Sequence, residues 1–289
     1  MDEPSAADVL RVAFQGERGA YSEQAALDLL GERIELVPCA TFDEVFACVE
    51  AGECEHGVVP VENSLAGSLH RVYDLLLQHD LYIVAEYNLR ISHCLIAHPG
   101  VSLADIRQIY SHPMALAQCE ESLRELGRNG IEIVAALDTA GSVKWIKEQG
   151  LCDAAAIAGE RAAEIYGLAI LRRELEDEAA NYTRFIALSR EAVTPTGESK
   201  TSLAFAGQNE PGLLFRCLSA FALRDIDLTK IESRPLRGVP WEYVFYVDFL
   251  GSMSEERCRR AIEHLKEMAT FVRVFGSYPR ARAAWVEGQ

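Results

Sequence analysis

The first 190 residues alternate short β-rich runs with longer amphipathic stretches, and that rhythm constrains the fold more than any other feature. "RVAFQG" precedes "AYSEQAALDLL", "RIELVPCA" precedes "FDEVFACVEAG", and "HGVVPVENS" precedes "SLHRVYDLLLQ". A run of period two followed by a stretch of period 3.6 is the βα unit, so an α/β domain is predicted. After the long extended run "LYIVAEYNLRISHCLIAH" the rhythm resumes: "RQIYSHP" then "MALAQCEESLREL", "IEIVAAL" then "DTAGSVKWIKEQG", "AAAIAG" then "RAAEIYG", closing on "TRFIALSR". Two lobes joined by extended crossings at about 86–94 and 168–183 accommodate this pattern. The first lobe is expected over about 10–90 and 178–189, the second over about 91–177, within a domain spanning 1–189. The cleft between the lobes is the default ligand site.

"REAVTPTGES" (190–199) has turn residues and no apolar periodicity, so it reads as a linker. Residues 200–279 then spell β-α-β-β-α-β, the ferredoxin-like order, and 280–289 form a C-terminal tail. Charge marks the same boundary. Residues 1–199 carry 15 Lys and Arg against 33 Asp and Glu, whereas 200–289 carry 13 against 11. The strongly acidic first part repels phosphate backbones, which argues against nucleic acid as a partner. An anionic ligand requires specific donors that override the field.

The hydrophobic content of 49 % supplies a core, and no run approaches the ~18 apolar residues of a membrane span. Neither membrane association nor a leader is expected, and the chain is assigned to the cytoplasm. The eight cysteines show no C-x-x-C pair, which argues against a zinc site and a disulfide framework. The histidines are scattered, and neither His93 with His98 nor His70 with His79 has metal-site spacing on one helix face. No metal is expected.

Four small-residue turns each open a helix: "GERGAYSE", "ENSLAGS", "SHP" and "DTAGS". Helix N-termini expose unpaired N–H groups, so several converging on one cleft can bind carboxylates; taken singly, each is also an ordinary strand-to-helix cap. Glu62, Asn63 and Ser64 follow an apolar strand at its carboxyl end, where open α/β sheets bind ligands. Ser111, before Pro113, is either a cap-region hydroxyl or a ligand donor, and Gln118 follows along the helix. In "DTAGSVK", Asp138 or Thr139 caps the helix, and Ala140 and Gly141 are small enough for a ligand to approach the backbone beside Ser142. "NYTRF" enters its strand through Asn181, Thr183 and Arg184, three groups able to hydrogen-bond an anion or a leaving hydroxyl. Arg184 either grips a carboxylate or pairs with Glu176 or Asp177.

The ordered set "GERGAYSE", "VENSLAGS", "SHPMALAQC", "DTAGS", "NYTRF" and "IESRP" resembles the prephenate dehydratase family, over about residues 11 to 279. The resemblance implies a two-lobed catalytic domain like the type II periplasmic binding proteins, followed by an ACT domain. It implies loss of CO₂ and hydroxide from prephenate to give phenylpyruvate, on the way to phenylalanine, with no cofactor. By resemblance, Thr183 acts on the leaving hydroxyl, and Asn63, Ser111 and Gln118 fall at catalytic or binding positions. Tyr21, Ser22, Glu62, Ser64, Thr139, Ala140, Gly141, Ser142, Arg184 and Phe185 are the expected substrate contacts. Met114 stands where the family usually has Gln. The ACT resemblance implies an allosteric phenylalanine site at Asn209, Pro211, Gly212, Leu213 and Leu214 with Glu232, Ser233, Arg234 and Pro235, and a homodimer or homotetramer. Arogenate dehydratase is the alternative within the enzyme class; a solute-binding receptor and a non-catalytic amino-acid sensor are the alternatives outside it.

Overall fold

The computed structural model describes residues 9–127, 130–236 and 241–281, and the chain divides into two compact units. Among the described residues, the first holds those from 9 to 79 and from 87 to 186, and the second gathers 80–86 with those from 187 to 281. The expected tail at 280–289 and the first eight residues therefore lie largely outside the described residues.

The chain begins with β1 (Leu10–Gln15), α1 (Tyr21–Leu30), β2 (Ile34–Cys39), α2 (Phe42–Glu50) and β3 (His56–Asn63). The short β4 (Gly67–Ser68) folds back on β3, and α3 (His70–Gln78) leads into β5 (Tyr82–Arg90). Next come β6 (Cys94–Ala97), β7 (Gln108–Ser111), α4 (Pro113–Gln118), α5 (Glu120–Gly127), β8 (Glu132–Ala135), α6 (Thr139–Gln149), β9 (Ala154–Ala158), α7 (Glu160–Tyr166) and β10 (Ala169–Arg172). β11 (Tyr182–Ser189) then returns to the first sheet. One sheet has the order β2-β1-β3-β11-β5 and the other β10-β6-β9-β7-β8. β9 reads "AAAIA" because it lies between β6 and β7 with every residue buried, where a small-residue run fits closely packed helices on either face.

The long run at 81–98 is two strands rather than one. β5 ends at Arg90 and β6 starts at Cys94, and Ile91, Ser92 and His93 carry the chain from one sheet to the other. The second crossing runs beside the first: Ile91 N–H donates to Asn181 O at 2.8 Å and Leu175 N–H to His93 O at 3.0 Å. The helix expected over "MALAQCEESLREL" is likewise split, at Cys119. The lobes are further tied by Glu23, fully buried on α1, whose carboxylate takes Gly19 N–H at 2.5 Å and pairs with Arg161 of α7 at 3.1 Å. Gly19, at φ 88°, lies so close to α7 that a Cβ would sit 2.7 Å from Ala162 Cα.

The second unit contains β12 (Ser199–Ala206), α8 (Leu213–Ala222), β13 (Leu228–Pro235), β14 (Tyr243–Leu250), α9 (Glu256–Met268) and β15 (Phe271–Pro279). The strands form an antiparallel sheet ordered β13-β14-β12-β15, the ferredoxin-like topology expected for this segment. Phe205, Cys217, Phe221, Phe249, Ile262 and Leu265 pack the helices onto the sheet.

Candidate active site

Asn63 ends β3 and is almost fully buried, and its side-chain amide has one possible orientation. Its Oδ1 accepts the backbone N–H groups of Leu65 (3.0 Å) and Ala66 (2.9 Å), which can only donate. Its Nδ2 therefore faces β11, donating to Asn181 Oδ1 at 2.8 Å and to Thr183 Oγ1 at 2.9 Å, with Tyr182 O at 3.2 Å. Thr183 thus accepts from Asn63, and its own hydroxyl hydrogen meets no protein acceptor among the described residues. Asn181 is fully buried, and its Nδ2 has no hydrogen-bond partner among the described residues. Ser64 holds the strand entry from outside, accepting Tyr182 N–H at 3.0 Å and donating to Ala180 O at 3.0 Å.

The second lobe reaches this cluster through Gln118, the last residue of α4. One end of its amide lies 3.5 Å from Asn63 Oδ1 and the other 2.9 Å from His93 Nε2. His93 Nδ1 is 2.8 Å from the Tyr21 hydroxyl, which also lies 2.8 Å from Ser92 O. Glu176 on the second crossing accepts His93 N–H at 2.8 Å. Burial holds the His93 imidazolium down, against the opposing pull of Gln118 and Glu176, so the ring favours its neutral form. Burial likewise raises Tyr21 well above the ordinary tyrosine range and keeps its hydroxyl protonated. Tyr21, Asn63, Gln118 and Thr183, all expected from the sequence, therefore meet in one network where the two crossings pass. His93 completes it. His93 is not among the site residues expected from the sequence; its signal there is the polar "SH" that interrupts an overlong apolar run.

Other expected residues lie elsewhere. Arg184 follows Thr183 in β11, and strand alternation sends its side chain to the opposite face. Glu62 likewise alternates with Asn63 in β3. Ser111 is fully buried and donates its hydroxyl to Ile157 O at 2.6 Å, a tie across the second sheet. Phe185 is core, and Ser22 is buried in the first turn of α1. In "DTAGS" the cap is Asp138, whose carboxylate takes Gly141 N–H, while Thr139 opens α6 and Ser142 donates to Asp138 O at 2.7 Å. The position of a Cβ on Gly141 is taken by that carboxylate, and Ala140 is fully buried. Gly141 and Ser142 do line a cavity of about 490 Å³ with Glu17, Tyr110, Lys144 and Trp145, but the Thr183 cluster does not border it. Met114, at the family's usual Gln position, is about half exposed in the first turn of α4.

In the second unit a cavity of about 170 Å³ is lined by Gly207, Asn209, Gly212, Leu213, Leu214 and Tyr243, among others. Pro211 is outside that lining. Ser233 and Pro235 lie on β13 opposite Phe245 and Tyr243, with Arg234 opposite Val244, and Glu232 pairs with Lys230 at 3.2 Å. Among the described residues no cluster of His, Cys, Asp and Glu could hold a metal ion, and no helix is long and apolar enough to cross a membrane.

Two α/β lobes joined by paired crossings, with a polar network drawn from both at the junction, define a two-lobed small-molecule domain carrying a ferredoxin-like second unit. The chain belongs to the prephenate dehydratase family, whose profile matches residues 12–193. It is 50 % identical over 283 residues to "Arogenate dehydratase/prephenate dehydratase 2, chloroplastic" of Arabidopsis thaliana, covering 93 % of this chain and 73 % of that one. It is also similar to the structure of prephenate dehydratase in complex with L-Phe from Arthrobacter aurescens, with a TM-score of 0.86, 31 % identity, and 94 % and 90 % of the two chains covered. A structure described as GqqA, a novel type of quorum quenching acylases, has a TM-score of 0.85 and 35 % identity, covering 96 % of this chain and 99 % of that one. The Arabidopsis relative is named chloroplastic, which does not fit the plain cytoplasmic placement expected from the sequence.

Proposed function

We propose that the chain is a decarboxylating dehydratase that converts prephenate to phenylpyruvate. The observation that carries this reading is the Thr183 hydroxyl, whose oxygen is held by Asn63 Nδ2 and whose hydrogen remains to be donated. Loss of carbon dioxide and the ring hydroxyl makes the ring aromatic. The protein has only to orient the substrate, assist the departing oxygen and leave the departing carboxylate loosely held. A threonine hydroxyl is a poor acid by itself. Accepting a hydrogen bond from Asn63 polarises it toward donation, and aromatisation supplies most of the drive. General-acid assistance of this kind is worth roughly 10²–10⁴ in rate, or about 3–5 kcal/mol.

Arogenate, with an ammonium in place of the keto oxygen, is the second reading, favoured by the double name of the Arabidopsis relative. Acylase chemistry gains no support, because a nucleophilic hydroxyl needs a base to take its proton; Thr183 faces a donor and Ser111 is engaged by a carbonyl. The second unit acts as an ACT domain in this reading. Its 170 Å³ cavity beside the start of α8 takes phenylalanine, whose carboxylate suits the helix N-terminus, and binding shifts the enzyme to a less active state. A homodimer or dimer of dimers formed through these units is part of the proposal. Turnover of prephenate by wild type, abolished in Thr183→Ala, tests the reading.

A further inference from the structure

The network around His93 holds more acceptors than a neutral ring can serve, and counting its hydrogens fixes which link gives way. Ser92 O can only accept, and the Tyr21 hydroxyl lies 2.8 Å from it, so Tyr21 spends its single hydrogen there. His93 Nδ1, 2.8 Å from the same hydroxyl oxygen, must then carry a hydrogen and donate to it. A neutral imidazole with Nδ1–H has a bare Nε2. The Gln118 amide, 2.9 Å from Nε2, can satisfy that nitrogen only with its NH₂ end. A half turn of the amide exchanges its ends without moving other atoms, and the contact it forfeits, to Asn63 Oδ1, is the long one at 3.5 Å. The Gln118 carbonyl then faces the Asn63 and Thr183 side.

We propose that His93 is a positioning residue of the dehydratase: locked as the Nδ1–H form by Tyr21 and Ser92, it turns Gln118 so that its carbonyl oxygen faces the substrate as an acceptor. The proposal rests on the dehydratase reading above. In that reading the leaving hydroxyl donates its own hydrogen to Gln118 Oε1, which aims an oxygen lone pair at the Thr183 hydroxyl. Gln118 and Thr183 thus hold the same oxygen from two sides, one as acceptor and one as donor. Tyr21 from α1 and Glu176 from the second crossing are the titratable neighbours; Glu176 is engaged with the His93 backbone N–H and does not contact the ring nitrogens.

Nitrogen-15 NMR of histidine-labelled wild type at neutral pH reads the ring directly, the His93 signals being assigned by their absence from His93→Gln. The expected spectrum has a protonated Nδ1 and a bare Nε2; a protonated Nε2 would overturn the proposal whatever the variants do. Kinetics supply the second arm. Gln at 93 places an amide carbonyl near the Nε2 position and can still accept from Gln118, whereas Asn mimics only the Nδ1 side. His93→Asn should lower kcat by about 10²-fold with KM little changed, the scale of a misplaced group, and His93→Gln should stay within about 10-fold of wild type. Equal kcat for the two variants, with wild type active, would overturn this inference alone. A wild type inert toward both prephenate and arogenate would overturn the dehydratase reading and this inference with it.

Discussion

Replacing Asn63 by aspartate separates the fold from the chemistry. In the wild type Nδ2 gives hydrogens to Asn181 Oδ1 at 2.8 Å and Thr183 Oγ1 at 2.9 Å, while Oδ1 accepts from Leu65 and Ala66 N–H. Asn63→Asp keeps the shape and both backbone bonds but presents an acceptor to β11. Asn181 can answer by turning its amide, bringing in the Nδ2 hydrogens that have no partner among the described residues of the wild type. Thr183 can answer by rotating its hydroxyl toward the new carboxylate. Each repaired bond limits the structural loss, and the new charge gains donors on both oxygens, so stability should change by no more than about 1–2 kcal/mol. In the proposed reading catalysis has no such repair, because the Thr183 hydrogen would point away from the leaving oxygen. The loss should approach the whole general-acid share, about 10²–10⁴ in kcat. Asn63→Leu should instead strand the Leu65 and Ala66 N–H groups and Asn181 Oδ1, at about 1–3 kcal/mol for each group left buried. Denaturant melts and kcat on the same preparations make the comparison. A folded Asn63→Asp with kcat within threefold of wild type would refute the reasoning.

Gly19→Ala should cost roughly 2–5 kcal/mol in chemical denaturation, since its φ is 88° and the new methyl would meet the α7 backbone at 2.7 Å; a loss under about 1 kcal/mol would contradict the tight lobe contact. His93 has a folded pKa below its ordinary 6.5, so the stability its neutral ring contributes is complete above that pH and is lost as pH falls below it. His93→Gln should flatten that acid limb in urea melts taken from pH 7 to pH 5. Burial pushes Cys39 up to about 11 and Cys119 up to about 12, whereas Cys152 is exposed. A thiol reagent at pH 8 should therefore label Cys152 far faster than either, by peptide mass, without loss of activity. L-Phenylalanine should raise the melting temperature of wild type, and Asn209→Ala, which loses the 3.1 Å bond to Trp241 O at the cavity rim, should weaken binding by about tenfold in calorimetry.

The βα rhythm was legible because period-two and period-3.6 patterns report which faces are buried, and the second unit followed for the same reason. The break at His93 was not, because an apolar run continues on both sides of the change of sheet and only "SH" interrupts it. The division between α4 and α5 at Cys119 carries no Gly or Pro to mark it. That Arg184 and Glu62 face away from Thr183 and Asn63 follows from the strand period alone, for consecutive strand residues do not share a face. The pairing of Asn63 with Thr183, 120 positions apart, lies beyond local periodicity. Family resemblance singled out both residues, and only the fold shows that one holds the other.

The most direct test of the central claim is a paired assay at neutral to slightly alkaline pH, where acid-driven loss from prephenate is slow. Phenylpyruvate formed from prephenate and phenylalanine formed from arogenate are measured for wild type, Thr183→Ser and Thr183→Ala. The account predicts turnover of prephenate faster than arogenate, partial activity in Thr183→Ser and a fall of about 10² or more in Thr183→Ala. Near-normal turnover by Thr183→Ala would contradict it.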